Sequence, residues 1–229
     1  VIGHRDDKSE PEVLKRLVTP RGELVLRRVD GHLEVISNGS FLMDTRDGRS
    51  ERLLVTAALA RLPSPKRLLI GGLGVGFSLQ AACTDERLAQ IVVVEVEPAV
   101  VAWHDNHLRE VSHDAIADPR VTIVVADLVD HLRSATSPGY DAICLDTDNG
   151  PDWTVTPGNA QLYDDAGLEL LVSRINPGGA LSVWAAGRSP AYEARLGRHL
   201  DAIEIHEVAV PRGEPDVVMV GVRPGGVRR

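Results

Sequence analysis

Residues 67–76 read RLLIGGLGVG, and this stretch decides the fold. An apolar run stops in four glycines, Gly71, Gly72, Gly74 and Gly76, and an apolar helical pattern (Phe77, Leu79, Ala81, Ala82) begins at once. A strand that breaks into a glycine turn and then opens a helix brings backbone N–H groups close to a ligand. Glycine makes that turn without a Cβ standing in the ligand's way. The next apolar run, IVVVE, ends in Glu95, 19 residues beyond Gly76. A carboxylate at that strand end can accept hydrogen bonds from both hydroxyls of a ribose. Glu97 is the second choice for that role. Asp127 closes the following run, VTIVVAD. It either accepts from an adenine amino group or caps the helix DLVDHLR.

The glycines do not fit the dinucleotide fingerprint G-x-G-x-x-G. Starting it at Gly72 puts Phe77 in the third glycine position, and starting it at Gly71 puts Leu73 in the second. The pattern is Gly72-x-Gly74-x-Gly76, which disfavours a nicotinamide cofactor.

From residue 66 onward the chain alternates strand and helix patterns. Candidate strands are 67–71, 91–95, 121–125, 141–146, 179–184, 203–210 and 216–222, with helices between the first five. Short apolar strands of this kind suit a parallel sheet covered on both faces. Pro177-Gly178-Gly179 is expected to end the helix before the fifth strand. The last two runs are separated only by PRGEP, too little chain for a parallel crossover, so the last strand runs antiparallel to its neighbour. The expected fold is α/β: a doubly wound, seven-stranded, mostly parallel sheet with an antiparallel last strand.

Ahead of it, Asp30-Gly31 and Asn38-Gly39 are two-residue hairpin turns that divide residues 22–44 into a three-stranded antiparallel meander. Ser50 to Leu62 reads as a helix with Leu53, Leu54, Ala57, Ala58 and Leu62 on one face. The expected division is an arm over 1–20, the meander plus helix over 21–62, and a cofactor-binding domain over 63–229.

The whole chain has 229 residues, 43% hydrophobic and only 3% aromatic, so its core is built of aliphatic side chains. Its net charge of −8 sets nucleic acid aside as a partner. No apolar run reaches membrane-spanning length, and the opening HRDDKSEPE is too polar for a signal peptide. Cys83 and Cys144 sit in apolar runs and read as reduced buried thiols. A cytoplasmic protein is expected. No metal site is expected: His104 and His107, with His113 nearby, read as part of a solvated helix face.

Residues 66–185 resemble the catalytic domain of the spermidine synthase family, within the class I S-adenosylmethionine-dependent methyltransferase fold. The resemblance rests on LLIGGLGVG, VVVEVEPAVV, DPRVTIVVADLVDHLR, YDAICLDTDNGP and LYDDAGLELLVSRINPGGALSVW. It implies an adenosyl-sulfonium cofactor, S-adenosylmethionine or its decarboxylated form, held by Gly71, Gly72, Gly74, Gly76, Glu95 and Asp127. It also implies a homodimer.

The stretch 141–169 carries Asp141, Asp146, Asp148, Asp152, Asp164, Asp165 and Glu169 and has no Lys, Arg or His. Unpaired carboxylates at the end of a parallel strand would attract an amine substrate. In the resembled family an acidic motif here holds and deprotonates the attacking amine, and LDTDNGP is a near match. Asp146 is the expected base and Asp148 the alternative. Asp146, Asp152, Trp153 and Tyr163 are the expected substrate contacts.

The chain also departs from the family. The aspartate usual in the family's glycine loop is Gly74 here. The family's Gln after the Asp-Gly turn is Leu42, and its Tyr-His pair falls near Ser50, Glu51 and Arg52. Without the loop aspartate, the carboxylate of S-adenosylmethionine is not repelled. This puts methyl transfer to an amine or other small nucleophile first and aminopropyl transfer second. A cofactor-binding module without turnover is the third reading.

Overall fold

The computed structural model describes residues 10–134, 139–154, 157–211 and 213–225. The chain divides into two compact units, Val1–Asp47 and Gly48–Arg229.

The first unit is a four-stranded antiparallel sheet of β1 (Glu12–Thr19), β2 (Gly22–Val29), β3 (His32–Ser37) and β4 (Ser40–Asp44), in sequence order. Both predicted hairpin turns are present. Asp30 and Gly31 have φ of 49° and 82°, and Asn38 and Gly39 have 51° and 80°. Two successive positive φ values are what a type I′ turn requires. The meander has one strand more than expected, because residues 12–19, read as part of an arm, pair with β2 along most of its length. Their side chains are mostly exposed. Without a buried face they carry no alternation for a sequence reading to detect.

The second unit is a seven-stranded sheet in the order β10-β11-β9-β8-β5-β6-β7. Its strands are β5 (Arg67–Gly71), β6 (Gln90–Glu95), β7 (Val121–Val125), β8 (Tyr140–Leu145), β9 (Ile175–Ala185), β10 (Asp201–Val208) and β11 (Asp216–Val222). The first five pair in parallel, and β11 runs antiparallel to both β9 and β10. The helices are α1 (Arg49–Ala60), α2 (Phe77–Cys83), α3 (Pro98–Trp103), α4 (Leu128–Ser134), α5 (Asp165–Arg174) and α6 (Pro190–His199). Among the described residues no helix is long and apolar enough to cross a membrane.

Helix α1 packs on α2 and on β8, β9 and β11, so it groups with the large sheet rather than with the meander. Its face of Leu54, Val55, Ala58 and Leu59 is buried. That apolar stripe needs the broad sheet to cover it. Pro177-Gly178-Gly179 also does something other than end a helix. Helix α5 stops at Arg174, and the segment lies inside β9. There the pairing jumps from Tyr140↔Ile175 to Ala142↔Ala180, so the extra residues form a bulge.

Candidate active site

The strand order determines where a ligand can sit. From β5 the chain winds outward through β6 and β7, then returns to β8 on the other side of β5. The crevice of such a sheet opens at that reversal, beyond the carboxyl ends of β5 and β8. Gly71 ends β5, and Asp146 follows the last residue of β8. The Asp146 amide donates to the Gly71 carbonyl at 2.8 Å. The glycine loop and the first carboxylate of LDTDNGP are thus joined edge to edge.

The loop itself needs its glycines. Gly72, Gly74 and Gly76 have φ of 91°, 52° and 97°. At Gly71 the constraint is space, since an added Cβ would come within 2.6 Å of Leu128 Cδ2 on α4. Glu95 braces the loop from β6. Its Oε2 accepts from the Leu73 amide at 2.9 Å and its Oε1 from the Glu97 amide at 2.8 Å. A carboxylate has about four acceptor sites, so each oxygen keeps capacity for a hydroxyl. Burial raises the Glu95 pKa, and the two amide bonds pull against that rise.

His104 corrects the sequence reading. It is fully buried, and its Nε2 lies 3.0 Å from the Gly74 carbonyl oxygen. A carbonyl only accepts, so this nitrogen carries the proton. Burial lowers the His104 pKa, against the raising effect of the hydrogen bond to Gly74. A Cβ at Gly76 would lie 2.9 Å from His104 Cε1, so that glycine also makes room for the imidazole.

Four further polar side chains, Ser50, Glu51, Ser78 and Asp216, gather around Asp146 that the sequence did not single out as ligands. Ser78 Oγ, in the first turn of α2, lies 2.6 Å from Asp146 Oδ2 and 3.2 Å from the Glu51 carbonyl oxygen. Ser50 Oγ bridges Glu51 Oε2 at 2.9 Å and Asp216 Oδ2 at 2.7 Å. Burial and the charges of Glu95 and Asp216 push the Asp146 pKa up to about 6, against a lowering hydrogen bond from Ser78. Burial and the charge of Asp146 push Glu51 up to about 7. These residues come from α1, α2, the turn after β8, and β11, which are far apart in the chain.

The remaining predicted residues divide by position. Asp127 follows β7 and caps α4, its Oδ1 accepting from the Val129 and Asp130 amides at 2.8 and 3.1 Å. Asp148 is buried, and its carboxylate accepts from the Asn149 amide and from Asn159 Nδ2, both at 2.9 Å. Tyr163 is buried in the core, edge-on to Tyr192, and its hydroxyl lies 3.2 Å from Thr147 Oγ1. It props the loop from behind. Asp152 and Trp153 line a hollow of about 160 Å³ with Asn149, Pro151, Ala185 to Ser189 and Glu214. Trp153 is 60% exposed, too open to wall off water.

The acidic stretch is not one cluster. Asp141 accepts from the Lys66 and Arg67 amides, Asp164 caps α5, and Asp165 pairs with Arg198. These three carboxylates have structural partners, so they do not belong to the expected field of unpaired negative charge.

Residues 49–211 match the family model described as the spermine/spermidine synthase domain. The chain belongs to the spermine/spermidine synthase family. A polyamine aminopropyltransferase of Mycobacterium tuberculosis (strain CDC 1551 / Oshkosh) is 31% identical over 166 residues, 71% of this chain and 31% of that protein. Putrescine N-methyltransferase 3 of Nicotiana tabacum is 27% identical over 161 residues, 68% of this chain and 39% of that one. This family member therefore spans about a third of the mycobacterial relative's length. A spermidine synthase solved with the transition-state analogue AdoDATO superposes with a TM-score of 0.76 at 16% identity, covering 94% of this chain and 73% of the other. The spermidine synthase of Thermotoga maritima superposes equally well, at 15% identity over the same shares.

Proposed function

We propose that this chain transfers an aminopropyl group from decarboxylated S-adenosylmethionine to a small amine. The observation that carries the reading is the junction of the side-chain-poor loop 71–76 with Asp146, which supports a cofactor held at the loop and a base beside it. The donor set suits an adenosyl-sulfonium cofactor. Glu95 keeps acceptor capacity for ribose hydroxyls, and the left-handed glycines leave the backbone bare on the approach. Asp127 stands by the adenine edge in this reading, in addition to capping α4.

The cofactor supplies a carbon bonded to positively charged sulfur, which departs as a neutral thioether without an acid. The protein's work is alignment and one proton transfer. Alignment alone offers effective molarities of about 10⁵ M or more. Asp146 takes a proton from the acceptor's ammonium, freeing the nitrogen lone pair for in-line attack. Its raised pKa suits it to hold that proton near neutral pH. Asp148 is the alternative base, and Asp152 and Trp153 border the acceptor's far end.

The mycobacterial relative's name weighs towards aminopropyl transfer, which the sequence reading had placed second. Methyl transfer from intact S-adenosylmethionine is kept as the second reading. It is favoured by Gly74, which presents no carboxylate to the cofactor's tail, and by likeness to putrescine N-methyltransferases. Incubation with putrescine and each cofactor, read by mass spectrometry, separates the two by the mass added. Binding of either cofactor without any product across an amine library would overturn both and leave a binding module.

A further inference from the structure

We infer that Ser78 is a positioning residue with a two-position hydroxyl. It donates to Asp146 Oδ2 while that carboxylate is charged, and turns to the Glu51 carbonyl once Asp146 has taken the acceptor's proton. The inference rests on the proposed role of Asp146 as the base.

The geometry supplies both positions. Ser78 is 1% exposed, so its hydroxyl must find partners inside the protein. Two acceptors are in reach, Asp146 Oδ2 at 2.6 Å and the Glu51 carbonyl oxygen at 3.2 Å. A hydroxyl has one proton to give. The 2.6 Å separation fits a charge-assisted bond from hydroxyl to carboxylate, so the proton lies towards Asp146 when that group is ionised. Protonation of Asp146 removes the charge that favours this arrangement. The carbonyl of Glu51 is then the stronger acceptor, and the Ser78 oxygen becomes free to accept from the new carboxyl O–H.

The balance is a proton transfer alone. The acceptor's N–H bond breaks, an O–H bond forms on Asp146, and the nitrogen keeps its electron pair. Ser78 follows the change by rotating about its Cα–Cβ bond, with no bond to carbon altered.

The groups that face Asp146 are few. Glu51 on α1, Glu95 on β6 and Asp216 on β11 are acidic, and Ser78 on α2 is a donor whose bond opposes burial. The buried Cys144 and Tyr163 also feel the charge of Asp146. Removing the Ser78 donor should therefore raise the proton affinity of Asp146. Its position at the start of α2, directly after the glycine loop, ties the base to the segment that cradles the cofactor.

The test is an NMR titration of the Asp146 carboxyl carbon in ligand-free protein. Ser78→Ala should raise the midpoint by about one pH unit, a roughly tenfold gain in proton affinity. Ser78→Thr, which keeps the hydroxyl, should restore it. An unchanged midpoint in folded Ser78→Ala would overturn the inference. A second measurement needs no change at Ser78. In the Glu51→Gln protein, whose residue 51 does not titrate, the backbone carbonyl carbon of that residue should shift with the Asp146 midpoint. A carbonyl signal flat across that midpoint would also overturn it. Both measurements are made without cofactor or amine, so failure of the proposed transferase activity is read separately, in the product assay.

Discussion

Gly72 and Asp146 meet through their backbones: a Cβ added to Gly72 would stand 2.0 Å from the Asp146 carbonyl oxygen. The obstacle is main chain held by the Asp146-to-Gly71 hydrogen bond, so it cannot turn aside like a flexible side chain. Gly72 also has a φ of 91°, a conformation that L residues rarely adopt. Gly72→Ala should cost about 3 kcal/mol or more. Urea unfolding measures this, and a midpoint equal to wild type would show that the two segments do not touch.

Asp146→Asn removes the proposed base while leaving the glycine loop and Glu95 in place. Calorimetry should find cofactor affinity within about threefold of wild type. Turnover should fall by about 10²-fold or more, the size of a lost general base. Parallel loss of cofactor binding would move Asp146 from the acceptor side of the site to the cofactor side.

Asp127→Ala separates the observed helix cap from the proposed cofactor contact. Loss of the cap on α4 should cost about 1 kcal/mol by thermal or urea unfolding. If Asp127 also contacts the cofactor, the same variant should weaken cofactor binding by about tenfold, the worth of one hydrogen bond. Unaltered affinity would reduce Asp127 to a helix cap.

Asp146 and Glu51 should make the ligand-free protein less stable as pH rises. Their ordinary values are 3.8 and 4.5, and the folded protein holds them at about 6 and about 7. The folded state thus binds these protons more tightly than the unfolded chain. Their stabilising contribution is complete below about pH 4 and is lost as pH climbs through 6 and 7. His104 and His131, whose pKa values burial lowers, act in the opposite direction. Comparing wild type with Asp146→Asn cancels the histidine effect. Between pH 5 and 8 the urea midpoint of wild type should fall relative to the variant. A gap that stays constant over that range would contradict the raised Asp146 pKa.

Much of the architecture is legible in the sequence. The strand–glycine–helix transition at 67–77, the runs ending in Glu95 and Asp127, and the Asp-Gly and Asn-Gly turns each depend on neighbours in sequence. Backbone sterics and side-chain periodicity act at that range, so the residues themselves specify these features. Strand β1 escaped because its side chains are mostly exposed. Pro177-Gly178-Gly179 misled because the same residues that stop a helix also build a bulge.

The membership of the site was a different matter. Asp141, Asp146, Asp164 and Asp165 lie in one acidic stretch, and of these four only Asp146 stands at the reversal in strand order. The other three are taken up by backbone amides or arginine. Glu51, Ser78 and Asp216 join it from segments far apart along the chain, and His104 is drawn beneath the glycine loop by the carbonyl of Gly74. The sequence by itself determined the elements and the bare loop; the tertiary structure alone decided which charges meet. The physical reason is distance: a turn is settled within a few residues, whereas the proton affinity of Asp146 depends on burial and on carboxylates that only the order of the sheet brings near.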